Sequence, residues 1–163
     1  MSVKIFWLHK YPNSSLLGIM ARPRGADWLE GEIMDLHKQN VQVVVSLLEH
    51  SEIYELGLQE EPELCSKHHI EYLNFPIPDR SIPSNNTETK RLINSLIDRS
   101  LKGTNIVIHC RMGIGRSSII AGSILLRAGY KADDIIPHIS RIRGLSVPDT
   151  DQQTAWLKSQ KKS

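Results

Sequence analysis

Cysteine is scarce in this 163-residue chain, which has only Cys65 and Cys110. Two thiols do not make a disulfide framework. The surroundings of Cys110 also argue against pairing it, so a reducing, cytoplasmic setting is expected. An excess of charge of one sign is missing too. Lys and Arg number 20 against 18 Asp and Glu, a formal net charge of +2, which leaves no basic footprint for nucleic acid. No apolar run approaches the roughly 18–20 residues of a membrane helix. The N-terminal residues 1–8 are short, interrupted by Lys4, and lack the small-residue cleavage site of a signal peptide. Repeats, low-complexity tracts and linkers are absent. With 40% hydrophobic residues, the expectation is one globular domain over residues 1–163, monomeric, binding neither nucleic acid nor membrane.

The apolar pattern predicts strands over residues 3–8, 42–48 and 70–75 and into Cys110, with a further short apolar run at 16–21. Residues 42–48 are continuous and β-branched, as a buried parallel strand requires. Helices are expected over 26–39, 49–58, 61–69, from Ser84 to Gly103, after the Cys110 loop to Gly129, and over 133–143 and 149–158, with a frayed polar tail at 158–163. The helix after Cys110 is apolar on most sides and so belongs in the centre. Alternating strands and helices predict an α/β fold, a mostly parallel central sheet flanked by helices on both faces.

Between a strand and that central helix stands His109-Cys110-Arg111-Met112-Gly113-Ile114-Gly115-Arg116-Ser117. A strand delivers a thiol to a small loop, and a helix begins where the loop ends. Backbone N–H groups, a guanidinium and a helix N-terminus then surround one point, which suits a phosphate dianion with Cys110 placed to attack it. A free Cys is mostly thiol at neutral pH, and this environment favours the thiolate. Gly113 and Gly115 are expected to supply positive φ. Arg116 offers a planar fork to two phosphate oxygens, which Lys would not. Ser117 is placed to donate to the sulfur, and His109 to hold the loop backbone. A nucleotide P-loop is not the alternative, because its Gly-Lys pair and spacing are both missing. The candidate binding loop is therefore Arg111, Met112, Gly113, Ile114, Gly115, Arg116 and Ser117.

His-Cys, five residues, Arg-Ser resembles the signature of the cysteine-dependent protein tyrosine phosphatase superfamily. The chain is similar in layout, from about Leu16 to Leu157, to its compact dual-specificity and cyclin-dependent kinase-associated members. The hundred or so residues before the Cys exclude the low-molecular-weight phosphatases and arsenate reductases. The resemblance implies a phosphotyrosine phosphatase II-like fold and a phosphocysteine intermediate. It also implies phosphorylated protein substrates, on Tyr and by extension Ser/Thr, with no metal or organic cofactor. Phosphoinositide relatives tend to carry Lys in the loop, where this chain has Arg111. A phosphoinositide or RNA 5′-phosphate phosphatase and a non-catalytic phosphoprotein-binding module remain the alternatives.

The leaving oxygen needs a proton. Asp79 follows a strand, sits among Pro76, Pro78 and Pro83, and lies 31 residues before Cys110, which resembles the family's general-acid spacing. Its rival is Asp149, because Pro148-Asp149 repeats the dipeptide. Other candidates have plainer readings. Gln152 and Gln153 are read as a polar helix face, Arg22 and Arg24 as a surface turn, and Cys65 as a thiol on a helix that does not pair with Cys110. Arg80 and Arg111 would favour extra negative charge on a substrate. His68 and His69 lack metal-ligand spacing.

Overall fold

The computed structural model describes residues 2–162. Five strands form one sheet in the order β1-β2-β5-β3-β4. They are β1 (Phe6–Lys10), β2 (Leu16–Ala21), β3 (Val43–Ser46), β4 (Glu71–Asn74) and β5 (Ile106–Cys110). Only β1 runs antiparallel, against β2; the other pairings are parallel. The mostly parallel α/β sheet is as the pattern predicts, and the run at 16–21 is a strand.

Side-chain alternation explains why helices cover both faces. Leu17, Ile19, Val43, Val45, Ile106 and Ile108 enter one core, while Met20, Val44 and Val107 enter the other. Helices α1 (Leu29–Lys38) and α3 (Glu61–Lys67) pack on the second face. Helices α4 (Asn86–Leu101), α5 (Arg116–Arg127), α6 (Ala132–Arg143) and α7 (Asp151–Lys158) pack on the first. The short α2 (His50–Glu55) follows β3. Every residue of α5 except Arg127 is buried, in keeping with its apolar sequence.

Boundaries differ from the expectation where side chains recruit the backbone. Residues 3–5 leave the sheet because Val3 N donates to Asp35 Oδ2 at 2.6 Å and Val3 O accepts from Gln39 Nε2 at 2.9 Å. The first strand accordingly runs on to His9 and Lys10 at the exposed sheet edge. Helix α4 starts later than Ser84 because Asn85 caps it, accepting from Glu88 N at 2.9 Å. Helix α7 starts at Asp151, after a Thr150–Gln153 capping box that leaves Asp149 outside. In the expected frayed tail, the Ser159 and Gln160 amides still bond back to α7; Ser163 lies outside the described residues. No helix among the described residues is long and apolar enough to cross a membrane.

Two glycines that look alike in sequence should respond oppositely to Ala. A Cβ on Gly25 would lie 2.0 Å from the Leu56 carbonyl oxygen, whereas one on Gly31, within α1, meets nothing within 4 Å. In urea titrations, Gly25→Ala is expected to lose about 1–3 kcal/mol, and Gly31→Ala to gain about 0.5–1 kcal/mol.

Candidate active site

The loop lies at the C-terminal ends of β2, β5 and β3, where a parallel sheet gathers its ligands. Cys110 is the last residue of β5 and pairs with Ala21 of β2. Its Sγ lies 3.3 Å from Ser117 Oγ in the first turn of α5. The loop is held from outside by its carbonyls. Arg111 O accepts from Arg22 N at 3.3 Å, and Arg143 donates to Met112 O and Gly113 O, each at 3.0 Å. Among the described residues, the N–H groups of residues 111–115 find no protein acceptor. Outward carbonyls and unpaired amides are what an anion cradle requires.

The two loop glycines serve different ends. Gly113 has φ +69°, and a Cβ there would meet the Met20–Ala21 backbone at 2.6–2.7 Å. Gly115 departs from the expectation. Its φ is −90°, and its requirement is steric, since a Cβ would lie 2.8 Å from Asp149 Oδ2 and 2.9 Å from the Gln153 amide.

Arg116 is buried, and its fork is filled from behind. Glu52 of α2 accepts from both terminal nitrogens at 2.7 and 2.9 Å, and Ile77 O accepts from Nη1 at 2.8 Å. Nη2 also donates to Asp79 Oδ1 at 2.9 Å. Burial alone disfavours charge on both partners of the Glu52–Arg116 pair. That is the largest single effect, and only their mutual hydrogen bonds and Coulombic attraction taken together with the other neighbours outweigh it. Together with the Glu49 amide they hold the Glu52 carboxyl below the usual carboxylate range. The Arg116 guanidinium is held above its ordinary value, with Cys110 and Asp79 adding to the effect of Glu52.

Asp79 sits in a turn closed by Ser81 N donating to Pro78 O, with Arg80 at φ +60°. Its side chain is half exposed at 49%. Gln153 is not on a polar face. It is fully buried; its Oε1 accepts from the Asp149 and Thr150 amides and its Nε2 donates to Ser81 O at 3.0 Å. One side chain thus caps α7 and braces the Asp79 turn, while Gln152 is exposed. Arg111 reaches Glu52 and Glu55 at 3.4 and 3.5 Å. Arg22 and Arg24 lie in the segment after β2, and Arg24 pairs with Glu32.

Behind Cys110, His109 Nε2 lies 2.8 Å from Glu61 Oε2, both side chains fully buried. His109 Nδ1 faces Cys110 O at 3.4 Å. Cys65 is buried in the core on the opposite side of the sheet from Cys110, and both thiols are free. Burial, with Glu61 nearby, pushes the Cys65 thiol up to about 12. No cluster of potential metal ligands occurs among the described residues. Glu52, Glu61 and Arg143 are the site residues that carry no local sequence signal.

Residues 18–130 match the family model described as a DSP-PTPase phosphatase of polymorphic toxin systems. Over 90 residues the chain is 34% identical to the "Putative tyrosine phosphatase" of Invertebrate iridescent virus 6, covering 53% of this chain and 32% of that protein. It therefore spans about a third of that relative's length. Kinase-associated phosphatase, solved with serine replacing its catalytic-site cysteine, superposes with a TM-score of 0.87 at 20% identity, covering 96% of this chain and 93% of that one. Tk-PTP in its active form gives 0.73 at 26% identity, with coverage of 87% and 88%.

The depressed Glu52 carboxyl gives a pH signature. Its stabilisation is complete above the ordinary carboxylate pKa of about 4.3 and is lost as pH falls through the lower folded value. Glu52→Gln should cost about 2 kcal/mol at neutral pH. Its Tm deficit against wild type should narrow as the pH drops below about 4; a deficit that stays constant with pH contradicts the assignment.

Proposed function

The chain belongs to the DSP-PTPase phosphatase family, and from that premise we propose that it hydrolyses phosphate monoesters on proteins, phosphotyrosine first, through a phosphocysteine at Cys110. The observation that carries this reading is the meeting of three groups at one point. Cys110 Sγ lies at the floor of a loop whose amides have no protein acceptor, and Arg116 shares one nitrogen with Asp79.

The Cys110 thiolate attacks phosphorus, and the S–P bond forms as the bond to the leaving oxygen breaks. Loop amides and Arg116 hold the equatorial oxygens, where their interactions strengthen as charge spreads in the transition state. Protonated Asp79 gives its proton to the leaving oxygen. Water then attacks the phosphocysteine, Asp79 takes its proton, and the thiolate leaves, assisted by the Ser117 hydroxyl.

Arg116 adds an ordering step. Its Nη1 donates to Glu52 and Ile77 O, and its Nη2 to Glu52 and Asp79. A phosphate entering the cradle uses Nε–H and competes with Asp79 for Nη2. Substrate binding therefore frees the acid as it arrives. Chemistry of this kind needs neither metal nor organic cofactor. We assign the whole chain to one catalytic domain, monomeric and cytoplasmic, with phosphorylated proteins as partners and no nucleic-acid or membrane ligand.

Cys110→Ser should abolish turnover of p-nitrophenyl phosphate between pH 5 and 8 while retaining phosphopeptide binding; measurable turnover ends the mechanism. Asp79→Asn should lower kcat by about 10²–10⁴-fold for phosphotyrosyl peptides and far less for an ester with a very acidic leaving group. Equal losses on the two substrates remove Asp79 as the acid. A panel of phosphopeptides, phosphoinositides and 5′-phosphorylated RNA separates the substrate classes by kcat/KM.

A further inference from the structure

A cavity of about 630 Å³ lies away from the cradle. It sits between α4, the end of α5 and α7. Neither Asp79 nor any residue of the Cys110 loop lines it. Ile82 and Pro83 do, and they form the far end of the segment that carries Asp79.

Its charge is one-sided. Lys90 of α4, Arg127 at the end of α5 and Lys161 beyond α7 line it, with no carboxylate in the lining. The ion pairs of the protein do not neutralise them. Among the described residues none of the three makes a salt bridge, and Arg127 reaches only the Asn94 side-chain oxygen. Three cations gathered around one concavity repel one another, and an anion relieves that repulsion. Asn86 and Thr87 add neutral hydrogen-bonding groups, while Ile93 and the side of Trp156 give an apolar wall. Trp156 is otherwise buried at 9% exposure.

We infer that this cavity binds a small organic dianion, a phosphate- or phosphonate-type head on a flat apolar body, at a site separate from the catalytic loop. The head meets Lys90, Arg127 and Lys161, and the body lies against Trp156 and Ile93. The occupant touches both supports of the acid turn. Ile82–Pro83 continue from it, and Trp156 stands one helical turn after Gln153, whose amide donates to Ser81 O.

Phenylphosphonate is a suitable probe because it cannot be hydrolysed. Trp156 reports locally by the ¹⁵N–¹H resonance of its indole, assigned with Trp156→Phe and distinguished from those of Trp7 and Trp28, which do not line the cavity. Titration should shift the Trp156 signal saturably. Lys90→Glu with Lys161→Glu, both exposed positions, should weaken that Kd at least tenfold. The same pair should leave unchanged the Ki of phenylphosphonate against p-nitrophenyl phosphate, which reports the cradle.

A Trp156 resonance that does not move overturns the proposal. So does one whose apparent Kd equals the cradle Ki and survives the double charge reversal. If p-nitrophenyl phosphate is not turned over at all, the Trp156 titration still decides this site, so its failure is distinguishable from failure of the catalytic reading.

Discussion

The bidentate pair between Arg116 and Glu52 is the contact on which the site's geometry depends. Arg116 begins α5, and Glu52 comes from α2, which follows the inner strand β3. A long flexible cation would otherwise pay rotamer entropy each time it met a ligand. Here Glu52 and the Ile77 carbonyl fix the plane of the fork in advance. Burying the two charges is tolerable because each satisfies the other with directed hydrogen bonds; a buried guanidinium without its carboxylate is strongly destabilising. Glu52 also accepts a longer contact from Arg111, so one carboxylate serves two arginines of the loop.

The rest of the site divides into rigid and yielding parts. Cys110 stands at the end of a fully buried strand between two parallel neighbours, and its loop is fastened by Arg143 and by the Arg22 amide. Asp79 stands on a half-exposed turn with a left-handed residue beside it, braced through Gln153. In the proposed mechanism the nucleophile tolerates little misplacement, whereas the acid has to approach different leaving groups. That distribution of stiffness follows from where each residue sits relative to the sheet.

The loop was legible because its parts are adjacent in sequence. Thiol, glycines, arginine and the opening of a helix fall within nine residues, and the flanking apolar runs identify the strand and helix that position them. The sheet was legible for the same reason, since β-branched continuity at Val43–Ser46 and Ile106–Cys110 is a local property. Glu52, Glu61 and Arg143 were not legible. They reach the loop from 64, 48 and 30 residues away, and a glutamate near a helix start carries no mark of an internal partner. Gln153 reads as a surface residue in the sequence because a polar residue on a short helix ordinarily faces water; here it is buried between α7 and the Asp79 turn. Gly115 was assigned a conformational role when its constraint is the neighbouring Asp149 carboxylate, a tertiary fact that no local pattern contains.

The sheet also keeps the chain's two sulfurs apart. Cys110 belongs to the core beneath α5, and Cys65 to the core on the other face. An oxidant small enough to enter the cradle converts a cysteine there to a sulfenic acid; a nearby backbone nitrogen can trap it as a sulfenamide, but reduction back to the thiol needs a second thiol. Cys65 is screened by the whole thickness of the sheet and kept protonated by its burial. Recovery from oxidation therefore falls to an external thiol, the loop's own amides at most trapping the sulfenic acid, and without that thiol repeated exposure to peroxide carries Cys110 toward the irreversible acids.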